Sequence, residues 1–331
     1  SFPSWLIRNH HIEYLNISNN NFSGFLPRDI SIFLPNVIIL DISWNSFEGN
    51  IPSSIGKMKE LWYLDFSHNN FSGELPKQLA TDCNRLTHLF LSNNFLSGNI
   101  PKFSSLVNIL FLNNNNFSGT LEDVLGNINT GSSMLDISNN SISGKIPSSI
   151  GKFSYMQYIV LAGNQLEGEI PIEISNMTNL EIMDLSQNKL IGSIPYFRNK
   201  LEGGIPTQLC LLKNINIMDL SRNMLNSSIP SCFQNMSFGQ YDDVDGYHPI
   251  FEIRVGDMSF SLYWFNSSLE SFIPYLWNDN LLHLEAEFTT KHVNYNYKGK
   301  VVENMTGLDL SCNNLTGIIP SQIGNLQKLI A

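Results

Sequence analysis

The amino-acid sequence predicts an α/β solenoid, a stack of short coils that each give one strand to a parallel sheet. Two observations carry this. The phrase Leu-Asp-Ile-Ser-Trp-Asn-Ser-Phe-Glu-Gly-Asn-Ile-Pro at 40–52 returns, with changes, at 64–76, 89–101, 135–147, 159–171 and 183–195. Its asparagine recurs at 20, 45, 69, 94, 115, 140, 164, 188 and 223, mostly 24 or 25 residues apart. A fixed period of that size marks stacked supersecondary units that cannot bury their apolar faces alone.

Each part of the phrase has a physical task. Leu40 and Ile42 keep the two-residue period of a strand, so both point to one side, and stacking turns them into a ladder. Asn45 falls where the strand turns a corner; a buried amide there satisfies backbone N–H and C=O groups that the turn leaves unpaired. Gly49 permits a positive φ or a close backbone approach. Ile51-Pro52 continues extended, since proline fixes φ and offers no donor.

These phrases resemble the plant-specific class of leucine-rich repeat, with the signature L-x-x-L-x-L-x-x-N-x-L-x-G-x-I-P. The resemblance covers most of the chain outside 233–303. It implies a right-handed superhelix with a concave parallel sheet and a second, smaller sheet at the Gly-x-Ile-Pro segment.

Residues 12–195 carry eight coils. The fifth, Leu110 to Leu121, is short and lacks Ile-Pro. After Pro195 a half-phrase, Asn199 to Pro206, follows only 11 residues beyond Asn188. It reads as a deletion of about half a coil with a kink near 195–203, or as a plain loop. The repeat returns at Met218 to Pro230 and again at Leu308-Asp309-Leu310-Ser311-Cys312-Asn313. The organisation expected is therefore repeats over 1–232, an insertion over 233–303, and a resumed repeat over 304–331. The insertion is rich in aromatics, such as Tyr263-Trp264-Phe265. It has enough apolar surface to fold rather than stay a disordered linker, and Phe288 to Val302 alternates in places like a β-hairpin.

The insertion resembles the island domain of plant receptor-like proteins, most closely at Phe288-Thr289-Thr290-Lys291, Tyr297-Lys298-Gly299 and Met305 to Ser311. Gln208-Leu209-Cys210 and Ile229 to Phe233 match that family too. Its members are cell-surface receptors with a leucine-rich ectodomain, one membrane helix and no kinase of their own. The resemblance implies a peptide or protein ligand, adaptor and co-receptor kinases as partners, and a place on the outer side of the plasma membrane. Family members normally carry further repeats after the island, then a membrane helix; this sequence carries neither.

A net charge of −10, with no basic run, argues against nucleic acid and anionic membrane surfaces as partners. N-x-S/T sequons at Asn16, Asn21, Asn70, Asn116, Asn139, Asn176, Asn226, Asn235, Asn266, Asn304 and Asn314 fit a secreted glycoprotein. Cys210 and Cys232 lie 22 residues apart, close to one period. Adjacent coils bring them within reach of a disulfide, and two buried thiols fit equally. Cys83 and Cys312 have no partner one period away and read as free. No Cys-x-x-Cys pattern points to a metal, and no cofactor motif is present. No signal peptide opens the sequence, no apolar run reaches the roughly 18 residues of a membrane span, and neither end shows a polar cap. A fragment or a truncated product is expected.

Residues interleaved with the apolar pair face the concave side. Pairs such as Asp41/Ser43, Asp65/Ser67, Asp136/Ser138, Asp184/Ser186 and Asp219/Ser221 are expected to solvate the sheet. Trp44, Tyr63, His68, His88, Phe90, Phe111, Tyr158 and Val160 depart from that pattern. They define either a candidate ligand-binding patch or scattered exposed aromatics. A second candidate is the groove beside the island, with Lys291, Tyr295, Tyr297 and Lys298, whose alternative role is to anchor the island. The histidines lie apart from any nucleophile, so an enzyme is not expected. Three functions follow in order: the recognition part of a receptor-like protein in immune or developmental signalling, a secreted inhibitor of cell-wall-degrading enzymes, or a truncated non-functional paralogue.

Overall fold

The structure is a computed structural model. It describes residues 11–104, 106–192, 204–236, 306–321 and 323, with the backbone of four strands between 252 and 298. The chain forms two compact units, residues 1–238 with 306–331 and residues 239–305.

The first unit is built on a ten-stranded sheet whose strands follow chain order. They are Tyr14–Asn16, Ile39–Asp41, Tyr63–Asp65, His88–Phe90, Ile109–Phe111, Met134–Asp136, Tyr158–Val160, Ile182–Asp184, Ile217–Asp219 and Gly307–Asp309, here coils 1 to 10. Every pairing is parallel and in register, so equivalent residues of successive coils lie side by side, as with Leu40 beside Leu64 and Leu64 beside Leu89. Leu40, Ile42, Leu64, Phe66, Leu89 and Leu91 are fully buried and form one continuous core with their counterparts along the array. The apolar face that one strand cannot bury is thus covered by its neighbours.

The asparagine column closes each corner. Asn69 Oδ1 accepts the Phe47 N–H of the preceding coil at 2.9 Å. Its Nδ2 donates to Ile42 O at 3.0 Å, and to Phe66 O and Ser67 O within its own turn. The same set recurs at Asn94, Asn115, Asn164 and Asn188. A carbonyl and an amide that the bend would strand inside the molecule are both served by one side chain.

A second, eight-stranded parallel sheet follows the corner, from Ser23–Phe25 through Asn70–Glu74 to Lys189–Leu190. Its strands from Ser46–Gly49 to Gln165–Gly168 begin just after the asparagine and end at or one residue past the glycine, so Ile-Pro follows the sheet instead of forming it. Phe47 fills the space beneath, its ring lying parallel to those of Phe22 and Phe71 at 6.2 and 6.5 Å. Gly49 adopts φ +79°, and an added Cβ would come within 2.5 Å of the Phe25 ring. On the back, proline starts short 3₁₀ turns such as Ser53–Lys57. Coil 5 lacks that proline and makes the helix Leu121–Asn127 instead. Thr120 caps it, accepting from the Asp123 N–H at 3.1 Å.

Coil 8 pairs directly with coil 9, Ile182 beside Ile217 and Asp184 beside Asp219. Asn223 also serves coil 8 as usual, its Oδ1 accepting from Leu190 N and its Nδ2 donating to Leu185 O. The parallel pairing and the corner hydrogen bonds therefore continue from coil 8 to coil 9. Residues 195–203 themselves lie outside the described residues. Phe233 and Met236 are buried with the repeats, and the second unit spans residues 239–305. Coil 9 pairs with coil 10, Met218 beside Leu308, and the second unit is an insertion between them.

Cys210 and Cys232 form a disulfide with Cα atoms 5.9 Å apart, while Cys83 is a buried and Cys312 an exposed free thiol. The second unit contains two antiparallel hairpins, Glu252–Val255 with Met258–Ser261 and Glu285–Thr290 with Val293–Lys298.

Candidate functional site on the open face of the larger sheet

On each strand the residues flanking the buried Leu or Ile point outward. In register they make two columns. The first runs Tyr14, Ile39, Tyr63, His88, Ile109, Met134, Tyr158, Ile182, Ile217, Gly307. The second runs Asn16, Asp41, Asp65, Phe90, Phe111, Asp136, Val160, Asp184, Asp219, Asp309.

The aspartates do not solvate the sheet. Asp41, Asp65, Asp136, Asp184 and Asp219 are buried. Asp65 Oδ1 accepts from Ser67 N–H and hydroxyl at 2.9 and 2.6 Å, and Asp136 does the same with Ser138. A short side chain between strands less than 5 Å apart is walled in by its neighbours. Burial, and then the neighbouring Asp41, push the Asp65 carboxyl up to about 7 against the opposing Ser67 bonds. Burial, then Asp184, push Asp219 up to about 8. The Tyr63 hydroxyl donates to Asp65 Oδ2 at 3.4 Å, and burial, followed by the charges of Asp65 and Asp41, holds its phenol well above the usual range.

Between these acidic stretches the pattern breaks. Tyr63 and Phe90 have ring centroids 5.3 Å apart, Phe90 and Phe111 meet edge to face at 5.3 Å, and Phe111 reaches Tyr158 at 5.8 Å across the intervening coil 6. Tyr63, His88, Phe90, Phe111, Tyr158 and Val160 are all no more than 5% exposed. The rings touch in sequence and are buried, so they form one connected apolar tract. Trp62 packs beside it, 4.5 Å from the His88 ring. Burial lowers His88 to about 4; its Nδ1 lies 2.7 Å from Thr87 Oγ1, and its Nε2 is buried without a hydrogen-bond partner. Where Phe90 replaces Asp, Ser92 turns to Asn113 of the next coil.

Trp44 and His68 are placed differently from the expectation. They follow the strands, at φ 51° in both, in the corner position held elsewhere by Asn19, Asn93, Asn114 and Asn139. Their rings stack at 3.6 Å and Asn93 Nδ2 meets His68 Nε2 at 3.1 Å. They stand just beyond the strands, after the two columns. Sequence reasoning missed Trp62 and the paired carboxylates. Aspartates one period apart, Asp41 with Asp65, were the signal for the second.

In the second unit Tyr295, Tyr297 and Lys298 lie on the strand Val293–Lys298, opposite Phe288, Ala286 and Glu285; Lys291 lies outside the described residues. Of the sequons, Asn16, Asn21, Asn70, Asn116, Asn139, Asn176, Asn226 and Asn314 are exposed. Asn16 Nδ2 is engaged by Asp41 and Asn139 Nδ2 by Asn114. Asn266, Asn304 and the Asn235 side chain lie outside the described residues. Among the described residues no group of His, Cys, Asp and Glu is placed to hold a metal ion, and no helix is long and apolar enough to cross a membrane.

The chain is thus an in-register repeat array with a connected apolar tract on one sheet face. The Leucine Rich Repeat family model matches residues 11–33, 36–58, 60–81, 85–106, 133–153, 179–212, 214–236 and 304–326, more than half of the chain. The chain belongs to the leucine-rich repeat family. Within it the chain is similar to plant receptor-like proteins. Receptor-like protein 56 of Arabidopsis thaliana is 35% identical over 110 residues, 30% of this chain and 11% of that protein. Receptor-like protein 9a of Arabidopsis thaliana is 42% identical over 52 residues, 16% of this chain and 6% of that protein. Among solved structures, a TDR receptor superposes with TM-score 0.68 at 26% identity, covering 98% of this chain and 43% of that one. The Arabidopsis receptor kinase HAESA, solved with the peptide hormone IDA and the co-receptor SERK1, gives 0.56 at 31% identity, over 70% of this chain and 45% of that one. The chain thus spans less than half the length of each of these relatives.

Proposed function

We propose that this chain is the extracellular ligand-recognition part of a plant receptor-like protein, and that it binds a peptide or protein on the open face of the larger sheet. One observation carries the reading: the aspartate column is interrupted by the connected tract Tyr63–Phe90–Phe111–Tyr158. Aromatic residues replacing polar ones across several coils have no role in the core, whose Leu and Ile lie on the opposite side of the strands. Fully packed aromatics of this kind anchor protein interfaces. The HAESA structure, a similar chain with a peptide hormone and a co-receptor, supports the same class of ligand. In that reading the second unit is an island domain with Lys291, Tyr295, Tyr297 and Lys298 as further ligand contacts. The sequons carry glycans, and adaptor and co-receptor kinases relay an immune or developmental signal from the cell surface.

The test is binding of the purified glycosylated chain to synthetic apoplastic peptides and purified microbial elicitors. The control is a Tyr63→Ala/Phe90→Ala/Tyr158→Ala variant that still melts cooperatively. Saturable binding lost about tenfold or more in the variant is expected. A ligand bound equally by both proteins would refute the site. Inhibition of a polygalacturonase would move the chain to the inhibitor class.

A further inference from the structure

The eight-stranded sheet turns alternate residues of each strand to solvent. Coil 3 presents Asn70, Ser72 and Glu74 there, coil 4 Phe95, Ser97 and Asn99, and coil 5 Asn116, Ser118 and Thr120. The residues between them, such as Phe71, Leu96 and Phe117, are fully buried. Phe95 breaks the pattern. It is 58% exposed, whereas the strands of coils 2, 3, 5, 6 and 7 open with Ser46, Asn70, Asn116, Ser141 and Gln165. A single exposed ring needs no explanation by itself; its neighbours make this one informative.

Phe95 lies directly opposite Ser72, the hydroxyl residue of the sequon Asn70-Phe71-Ser72. Asn70 is exposed and stands on the same side of its strand as Ser72, diagonal to Phe95. Such a diagonal spans roughly 7–8 Å, within reach of long side chains. The lean of the sheet brings the two together, because outward side chains reach over the following coil. An added Cβ at Gly49, Gly73, Gly98 and Gly119 would meet Phe25 at 2.5 Å, Asn50 at 2.5 Å, Glu74 at 2.8 Å and Asn99 at 3.1 Å, each from the coil before. The same lean carries Asn70 toward coil 4 and Phe95. Asn116 heads a second sequon of the same three residues, Asn116-Phe117-Ser118. It leans toward coil 6, where Ser141 takes the place of Phe95 and lies opposite Ser118.

We propose that Asn70 carries an N-linked glycan whose first N-acetylglucosamine packs on the Phe95 ring. The bond formed joins Asn70 Nδ2 to the sugar C1, with loss of one amide proton and release of the lipid diphosphate of the oligosaccharide donor. One face of the β-linked pyranose is made of C–H groups, and the negative face of a phenyl quadrupole attracts them. The sugar takes the ring out of water while the rest of the glycan stays solvated. The inference rests on the reading that the sequons carry glycans, and adds the residue that receives one of them. The flank of coils 3 and 4 is then covered by sugar and closed to a protein partner.

The test uses the full chain from a glycosylating host fed isotope-labelled sugars, with site occupancy read by mass spectrometry of glycopeptides. Asn70 and Asn116 are both expected to be occupied. Asn70→Gln and Asn116→Gln each delete one set of sugar signals and so assign them. In heteronuclear NMR the C–H protons of the Asn70-linked sugar are expected upfield of those on Asn116, through the Phe95 ring current, with nuclear Overhauser effects to the phenyl. Phe95→Ser, at an exposed position, removes that shift, and Ser141→Phe creates it at Asn116. An unoccupied Asn70, equal shifts at the two sugars, or a shift that survives Phe95→Ser would overturn the proposal. These outcomes are separable from failure of the proposed function. Occupied sequons without the shift refute only the packing, and ligand binding at Tyr63, Phe90 and Tyr158 is read on the other sheet.

Discussion

Replacing Asn69 by alanine tests the corner column directly. Asn69 is 6% exposed. The substitution removes four hydrogen bonds: one from Phe47 N and three to the carbonyls of Ile42, Phe66 and Ser67. Phe47 N–H and Ile42 C=O belong to the preceding coil; Ile42 C=O keeps a second donor, Asn45 Nδ2, at 3.1 Å, so the cross-coil loss falls on the bond to Phe47 N–H. A buried group that loses its hydrogen bond costs about 1–3 kcal/mol, which places the expected loss at about 2 kcal/mol. The measurement is guanidinium-induced unfolding followed by far-ultraviolet circular dichroism, comparing midpoints at an unchanged m-value. A changed m-value would itself report loss of cooperativity along the array. The exposed neighbour Asn70, replaced by Gln, should shift stability by less than about 0.5 kcal/mol. A loss under about 1 kcal/mol for Asn69→Ala would refute the assignment of the column as the element that joins coils.

Stability should fall as pH rises from about 6.5 to 8. Asp65 and Asp219 keep folded-state protons up to about 7 and about 8, whereas the unfolded carboxyls lose theirs near 4, so the native state is the more protonated over this window. His88, lowered to about 4 by burial, acts oppositely but only below about 6.5. Asp65→Asn should therefore raise the melting temperature at pH 8 and flatten the slope; an unchanged slope counts against the buried pair. Cys210→Ser/Cys232→Ser, opening a loop of 22 residues, should cost about 3 kcal/mol on the loop-entropy model, read by melting with and without reductant. Gly73→Ala should cost about 1–2 kcal/mol. It forces an alanine to φ +77° and brings its Cβ to 2.5 Å from Asn50 Oδ1, and a neutral result in the same unfolding assay would contradict that backbone.

The repeated phrase made the inward half of the fold legible. Leu40, Ile42, Asn45 and Gly49 act alone or through backbone groups one period away, and a period can be counted. What failed to show was contact between coils on the outward side. Asp41 and Asp65 looked like two separate surface acids because neither is unusual within its own repeat. Their burial arises only from strand spacing, which brings the two carboxyls together. Trp44 and His68 were misplaced by one structural step, since a residue just after the strand and one on it look alike until the positive φ is seen.

The two faces of each strand carry different obligations. Inward residues are tied to the period, because a change at Leu64 or Asn69 exposes or strands a group in the coil before it as well as its own. Outward residues are tied only to their lateral neighbours, and the columns show two solutions. Where aspartates run consecutively, the array accumulates like charge and holds protons to offset it. Where Phe90 and Phe111 intervene, the repulsion disappears and ring packing takes its place. A scaffold selected for stability alone would gain by extending the aromatic run and removing the buried acids, since apolar groups replace buried charges at little or no cost. Acid pairs kept at both ends of an apolar tract are therefore better explained by what the face contacts than by what the fold requires.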